Sequence, residues 1–321
     1  MNKQNICIIG GAGFIGSNLL RELSRKFLDS NIKIFDNFSS GKIQFIPTEV
    51  RNKIEIIKSD IKNIEILTTA LQGVDIVFHL AANPDISRAA SEPSIDFWEG
   101  TYLTNNVLEA MRLSGVKKLF YTSGSGVYGD VPNELFNESY GPCLPISTYG
   151  ASKLASEALI CSYCHMFELK ANVFRFANVV GPNQTHGVGY DFINKLLENN
   201  SRLEILGDGS QDKSYVHVSD IIDAMLMVSE QQLSKNYNVF NVTSPDTVTV
   251  NEIANIVIKA LNLTSQEIQI IRGSSSRGWK GDVPKIKFDS AKIKALGWAP
   301  KYNSSQAVKK SVEQMISSLG A

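Results

Sequence analysis

Residues 5–36 restrict what this chain can fold into more than any other stretch. Asn5-Ile6-Cys7-Ile8-Ile9 is a short apolar run of the kind a buried parallel strand requires. It leads into Gly10-Gly11-Ala12-Gly13-Phe14-Ile15-Gly16 and then into a helical pattern through Leu19, Leu20, Leu23 and Phe27. A second apolar run, Ile32-Lys33-Ile34-Phe35, ends at Asp36. Glycines at 10, 13 and 16 give G-x-x-G-x-x-G, a spacing variant of the dinucleotide fingerprint. Amides at a helix N-terminus reach a pyrophosphate only where no Cβ stands in the way. Asp36 is placed to accept hydrogen bonds from an adenosine ribose and to repel a 2′-phosphate, so NAD is expected rather than NADP.

The rest of the first half repeats this rhythm. Apolar runs at 5–9, 32–35, 54–57, 74–80, 117–122 and 171–176 alternate with helical patterns at 14–28, 64–71, 95–113 and 149–168. Such alternation predicts an α/β fold, a Rossmann-type doubly wound parallel sheet with helices on both faces. Sites in such sheets lie at the C-terminal ends of the strands. After Gly181-Pro182 the rhythm breaks. Residues 1–182 therefore read as an NAD-binding domain, and 183–321 mainly as a smaller α/β substrate-binding lobe.

Composition narrows the partners. The chain has 321 residues with 32 basic against 32 acidic side chains, so nothing in its charge favours nucleic acid or an anionic membrane. No apolar stretch approaches the roughly 20 residues of a membrane span, and the first strand begins at once without a signal peptide. A cytoplasmic protein is expected. Cys161-Ser162-Tyr163-Cys164 has C-x-x-C spacing, but it falls within a helical pattern and no second Cys/His pair completes a metal set. No metal is expected.

Ser147-Thr148-Tyr149-Gly150-Ala151-Ser152-Lys153 opens an apolar helical segment with Y-x-x-x-K. Residues four apart share one helical face. The spacing holds a phenol beside an ammonium, and the cation is expected to lower the Tyr149 pKa from its reference near ~10 toward neutrality. A tyrosine so tuned can take a proton from a sugar hydroxyl and return it.

Together with Asp36-Asn37, Ser59-Asp60-Ile61, His79-Leu80-Ala81-Ala82, residues 121–129, 175–182 and 207–220, these motifs resemble the extended short-chain dehydrogenases/reductases of the nucleotide-sugar epimerase/dehydratase family. The resemblance covers nearly the whole chain. It implies that Gly10, Gly13, Phe14, Ile15, Gly16, Asp36 and Asn37 hold the cofactor. Asp60 and Ile61 are implied at the adenine, and Leu80, Ala81 and Ala82 along the dinucleotide. Lys153 is implied to bond the nicotinamide ribose as well as to serve Tyr149. Residues 216–244 are implied to return to the large domain as a helix and a strand. Relatives dimerise through the helices at 95–113 and 149–168, which implies a homodimer.

The resemblance also bears on the reaction. Its members open by removing the C4 hydroxyl proton and hydride of the sugar. Dehydratases then need an Asp-Glu pair just before the Val-Tyr-Gly marker, and related decarboxylases a Glu at position 126. This chain has Gly124-Ser125-Gly126 before Val127-Tyr128-Gly129. Lacking those acids, it is expected to invert C4 of a nucleoside-diphosphate hexose, with a UDP-hexose as the substrate expected first. A 4-ketoreductase, a 2-epimerase, a 4,6-dehydratase or a non-catalytic dinucleotide sensor are the alternatives. Epimerases place Ser or Thr where Gly124 stands, so Ser125 is the first candidate for the bridging hydroxyl and Ser123 the second. Asn178, Lys213 and Arg277 are candidates for the nucleotide diphosphate, and Arg88 for the carboxylate of a uronate.

Overall fold

The computed structural model describes residues 3–131 and 133–319. The chain forms two compact units. The first takes residues up to 127 with 148–175 and 225–240; the second takes 128–147, 176–224 and 241 onward.

Seven strands build the sheet of the first unit: β1 (Asn5–Ile9), β2 (Asn31–Asp36), β3 (Glu55–Lys58), β4 (Ile76–His79), β5 (Lys118–Gly124), β6 (Lys170–Phe176) and β7 (Tyr237–Val242). Their order is β7-β6-β5-β4-β1-β2-β3. β1 pairs in parallel with both β2 and β4, and β2 with β3 and β4 with β5 are parallel too. The order reverses between β1 and β4, the switch point at which such sheets bind dinucleotides. Central position explains the unbroken apolar run of β1, since Ile6 to Ile9 are buried on both faces.

Among the helices of the first unit are α1 (Phe14–Lys26), α2 (Ile64–Ala70), α3 (Tyr102–Ser114) and α4 (Thr148–Phe167). Leu67, Val107, Met111 and Ile160 from α2, α3 and α4 share one core with Cys7, Val77, Leu119 and Val173 from the strands. Each such side chain stabilises the fold by about 1.5–3 kcal/mol relative to exposure. Asn63 starts α2 by accepting the Ile66 amide at 3.1 Å, and Gly115, left-handed at φ 80°, ends α3. The helical pattern at 95–113 is not α-helical throughout. Residues Phe97–Thr101 form a π-helical turn. The Thr101 amide donates to Ser152 Oγ on α4 at 3.0 Å, and the Tyr102 amide takes the Phe97 carbonyl in its place.

The second unit has its own core. Phe192 and Leu196 of helix Val188–Glu198, Ile253 and Val257 of helix Val250–Ala260, and Val308 and Val312 of helix Ser304–Leu319 enclose Leu203 and Ile205. Strand Arg202–Ile205 pairs in parallel with Gln269–Arg272. Thr249 and Glu252 cap helix Val250–Ala260 reciprocally. Residues 128–147 belong here rather than with the first unit, where they carry an aromatic cluster: Tyr128 stacks on Phe136 at 4.7 Å and lies 6.3 Å from Phe288. The Tyr128 hydroxyl donates to Asn241 Oδ1 at 2.7 Å. Among the described residues no helix is long and apolar enough to cross a membrane.

Candidate active site

In the first unit the glycine-rich turn is shaped by contacts that exclude any side chain. Gly10 sits at φ +82°, and a Cβ there would lie 2.8 Å from the Ala81 amide nitrogen. A Cβ on Gly16 would lie 2.2 Å from the Gly10 carbonyl oxygen. The first forces the turn against the end of β4; the second lets α1 start beneath it. Gly13 caps α1 without a side-chain hydrogen bond, so the first amides of the helix remain available to an anion. Phe14, Ile15, Leu80, Ala81 and Ala82 are half-buried around this turn. The cradle fits a dinucleotide pyrophosphate.

Asp36 ends β2 with its carboxylate buried, accepting the Ala12 amide at 2.9 Å and the Phe38 amide at 2.8 Å. Burial raises its pKa, with the two amide bonds opposing. It thus ties the glycine turn to β2, and each oxygen keeps a second lone pair for a ribose hydroxyl. Asn37 donates to Asp60 at 2.9 Å, and Asp60 also accepts the Lys62 amide at 2.9 Å. Burial works against the Asp60 carboxylate, yet these bonds and the Lys62 charge hold its pKa below the usual value. Ile61 is 7% exposed and part of the hydrophobic core, so its side chain packs inward and Asp60 is the accessible member of that pair.

Tyr149 and Lys153 occupy the first two turns of α4. Lys153 is buried and donates to the Thr122 carbonyl at 2.8 Å, with Nζ 5.6 Å from the Tyr149 ring centre and 5.0 Å from that of Tyr121. The helical spacing thus brings the two together as expected. Its electrostatic consequence differs from the sequence expectation. Burial pushes the Tyr149 phenol up to about 12, and the negative charge of Asp96 adds to the rise. Lys153 falls to about 8 through burial, opposed by Glu157 and Asp96. Desolvation overrides the neighbouring cation, whose ammonium is turned to a carbonyl of β5. His79, at the end of β4, is pushed down to about 3 by burial and by the Lys153 charge, so it stays neutral beside Thr104 Oγ1, 3.2 Å from Nε2.

The two candidate hydroxyls separate. Ser123 is buried and donates to Glu157 at 2.6 Å. Glu157 in turn receives Arg175 Nε at 3.0 Å and Nη2 at 2.7 Å. The Ser123 proton is therefore committed to a buried ion pair, which corrects its candidacy as a bridging donor. Ser125 opens the one-turn segment Ser125–Tyr128 and is half-buried. Beside it Gly124 faces open space, with nothing within 4 Å of a Cβ built there.

Of the second unit's candidates, Asn178 donates its side chain to the Ser214 carbonyl at 3.2 Å. Lys213 and Arg277 meet at one residue: Lys213 pairs with the Asp282 carboxylate and Arg277 donates to the Asp282 carbonyl. Arg277 also pairs with Asp130 at 2.5 Å. Arg88, in the first unit, is exposed and paired with Glu92 at 2.8 Å, one turn along its own segment. That surface pair by itself gives no support to a carboxylate-binding role for Arg88. Sequence reading missed Asp96, Glu157 and Asp130; only Glu157 had a signal, since it continues the series 149, 153, 157 on one helical face.

Comparison with known proteins shows the family of the chain. The sequence profile described as the NAD dependent epimerase/dehydratase family matches residues 6–243. UDP-glucose 4-epimerase of Mycolicibacterium smegmatis is 30% identical over 317 residues, 95% of this chain and 96% of that protein. A solved structure of UDP-galactose 4-epimerase superposes with a TM-score of 0.87 at 36% identity, over 98% of this chain and 99% of that one. The dTDP-D-glucose 4,6-dehydratase of Mus musculus is 26% identical over 97% of this chain and 88% of its own length. The chain belongs to the NAD-dependent epimerase/dehydratase family, enzymes that act on nucleoside-diphosphate sugars with NAD as cofactor.

Proposed function

We propose that this chain inverts C4 of a nucleoside-diphosphate hexose, a UDP-hexose of the glucose/galactose type, through a transient 4-keto sugar. One observation carries the reading: Tyr149 and Lys153 stand together on α4 while the turn Gly124-Ser125-Gly126 offers no carboxylate. The acids that act on their charges, Asp96 and Glu157, are themselves buried, and hydrogen bonds occupy their oxygens. Neither is free to serve C5 or C6. Bound NAD supplies a reversible hydride acceptor and a positively charged ring that favours phenolate. Tyr149 takes the 4-hydroxyl proton, Lys153 supports the phenolate, and Ser125 bridges the sugar oxygen. The same proton returns when the ketone is reduced on its other face, so the cycle has no net redox change. Asn178, Lys213 and Arg277 are assigned to the diphosphate.

The relatives named UDP-glucose and UDP-galactose 4-epimerases support this choice. Phe97 and Trp98, each about half exposed beside α3, and Met166, 70% exposed on α4, support a homodimer through those helices. The test is proton NMR of purified protein with a panel of UDP-sugars. Inversion at C4, abolished in Tyr149→Phe, is the expected result. A stable 4-keto-6-deoxy product, or full activity in that variant, would refute the assignment.

A further inference from the structure

Asp96 is almost completely buried, at 1% exposure, in the segment before α3. One carboxylate oxygen accepts Thr148 Oγ1 at 2.7 Å and the other accepts Asn83 Nδ2 at 2.9 Å. Its backbone carbonyl accepts Ser152 Oγ at 2.5 Å. Thr148 and Ser152 bracket Tyr149 and Lys153 on α4, one immediately before each. The same Ser152 hydroxyl accepts the Thr101 amide and so fixes the π-helical turn that carries Asp96's neighbours. A carboxylate this deep is costly to bury and is kept only where donors compensate it.

We infer that Asp96 is a positioning residue for the Tyr149/Lys153 pair: it clamps the first turn of α4 from two sides and places one negative charge beside both groups. The charged and titratable groups facing the pair are few. Asp96 comes from the π-helical side, Glu157 and the pair itself from α4, Tyr121 from β5 and the neutral His79 from β4. Burial is the largest influence on both members, and Asp96 is the charge that acts on both. A negative charge here opposes phenolate at Tyr149 and favours ammonium at Lys153. Removing it moves both ionisations to lower pH.

Asp96→Asn removes the charge and can keep the geometry, because the Thr148 hydroxyl can turn to accept from the new amide. Thr148→Val does the converse. The experiment follows the Tyr149 ring-carbon signal by NMR in NAD-loaded protein with isotope-labelled tyrosine, assigned by its loss in Tyr149→Phe. In Asp96→Asn, Tyr149 is expected to ionise about one pH unit lower, the order imposed by a single nearby charge. Both limbs of the turnover–pH curve should move the same way. Thr148→Val should lower kcat several-fold without moving the limbs, and Thr148→Ser should restore it. An unmoved Tyr149 ionisation in Asp96→Asn overturns the charge role. If that variant does not fold, parent-like kcat in Thr148→Val overturns the clamp. The effect on turnover rests on the sugar chemistry proposed above, but the Tyr149 titration does not. A shifted titration with no turnover of any UDP-sugar would therefore refute that chemistry alone.

Discussion

Replacing Glu157 by Gln tests the buried core of the site most directly. Glu157 and Arg175 are 3% and 7% exposed, joined at 2.7 Å, and the Ser123 hydroxyl completes the group at 2.6 Å. The amide of Gln presents donors where Arg175 or Ser123 also donates, and it takes the Glu157 charge away from beside the buried guanidinium. Breaking a buried pair on one side costs about 3–5 kcal/mol, a large part of a total stability of about 5–15 kcal/mol. Replacing the whole group by apolar residues of similar volume removes the charges together, so the triple variant Ser123→Ala/Glu157→Leu/Arg175→Met should lie within about 1 kcal/mol of the parent or above it. Urea unfolding of both variants measures the difference. Glu157→Gln should also move the alkaline limb of turnover down, since the Lys153 ammonium, already at about 8, loses the larger of the two charges that raise it. A loss below about 1 kcal/mol for Glu157→Gln, or a triple variant as unstable as the single one, would refute the reasoning.

Other substitutions probe the remaining parts. Gly16→Ala puts a methyl against the Gly10 carbonyl, so co-purified NAD, read by absorbance after denaturation, should be lost. Ser125→Ala should lower kcat by about 100-fold or more if its hydroxyl bridges the sugar and relays its proton, and adding Gly124→Ser, which meets nothing within 4 Å at Cβ, should recover part of it; no change in Ser125→Ala would remove Ser125 from the mechanism. Lys213→Ala and Arg277→Ala should raise KM for a UDP-sugar far more than they lower kcat, as steady-state kinetics would show. Thr249→Ala removes one half of a capping box and should cost about 1 kcal/mol in urea unfolding with turnover unchanged.

Much of the first unit was legible because its determinants are local. β1, the glycine turn, α1 and Asp36 follow each other in one stretch, and strand period, helix period and turn chemistry agree there. Tyr149 and Lys153 were legible for the same reason, four residues apart on one face. Their ionisation was not, because desolvation and the Asp96 charge come from outside the helix. Asp96 carries no motif; it becomes visible only when residues 83, 96, 148 and 152 meet. Residues 128–147 fall inside the 1–182 span read from sequence as the NAD-binding domain, yet they join the second unit; the aromatic partner of Tyr128 in that unit, Phe288, lies far along the chain. The ion pairs of Lys213 and Arg277 with Asp282 and Asp130 escaped for the same reason: their partners lie 69 and 147 positions away.

The first unit draws on three separate runs of chain, and its last strand, β7, spans Tyr237–Val242. A ribosome delivers β1 to β6 well before that strand exists. Until it emerges, β6 presents one side with unpaired amides and carbonyls, a template for pairing with another nascent copy. Chains released before residue 237 should accordingly aggregate rather than yield a working dinucleotide-binding fragment, and no single uninterrupted cut of the gene encodes that fragment by itself.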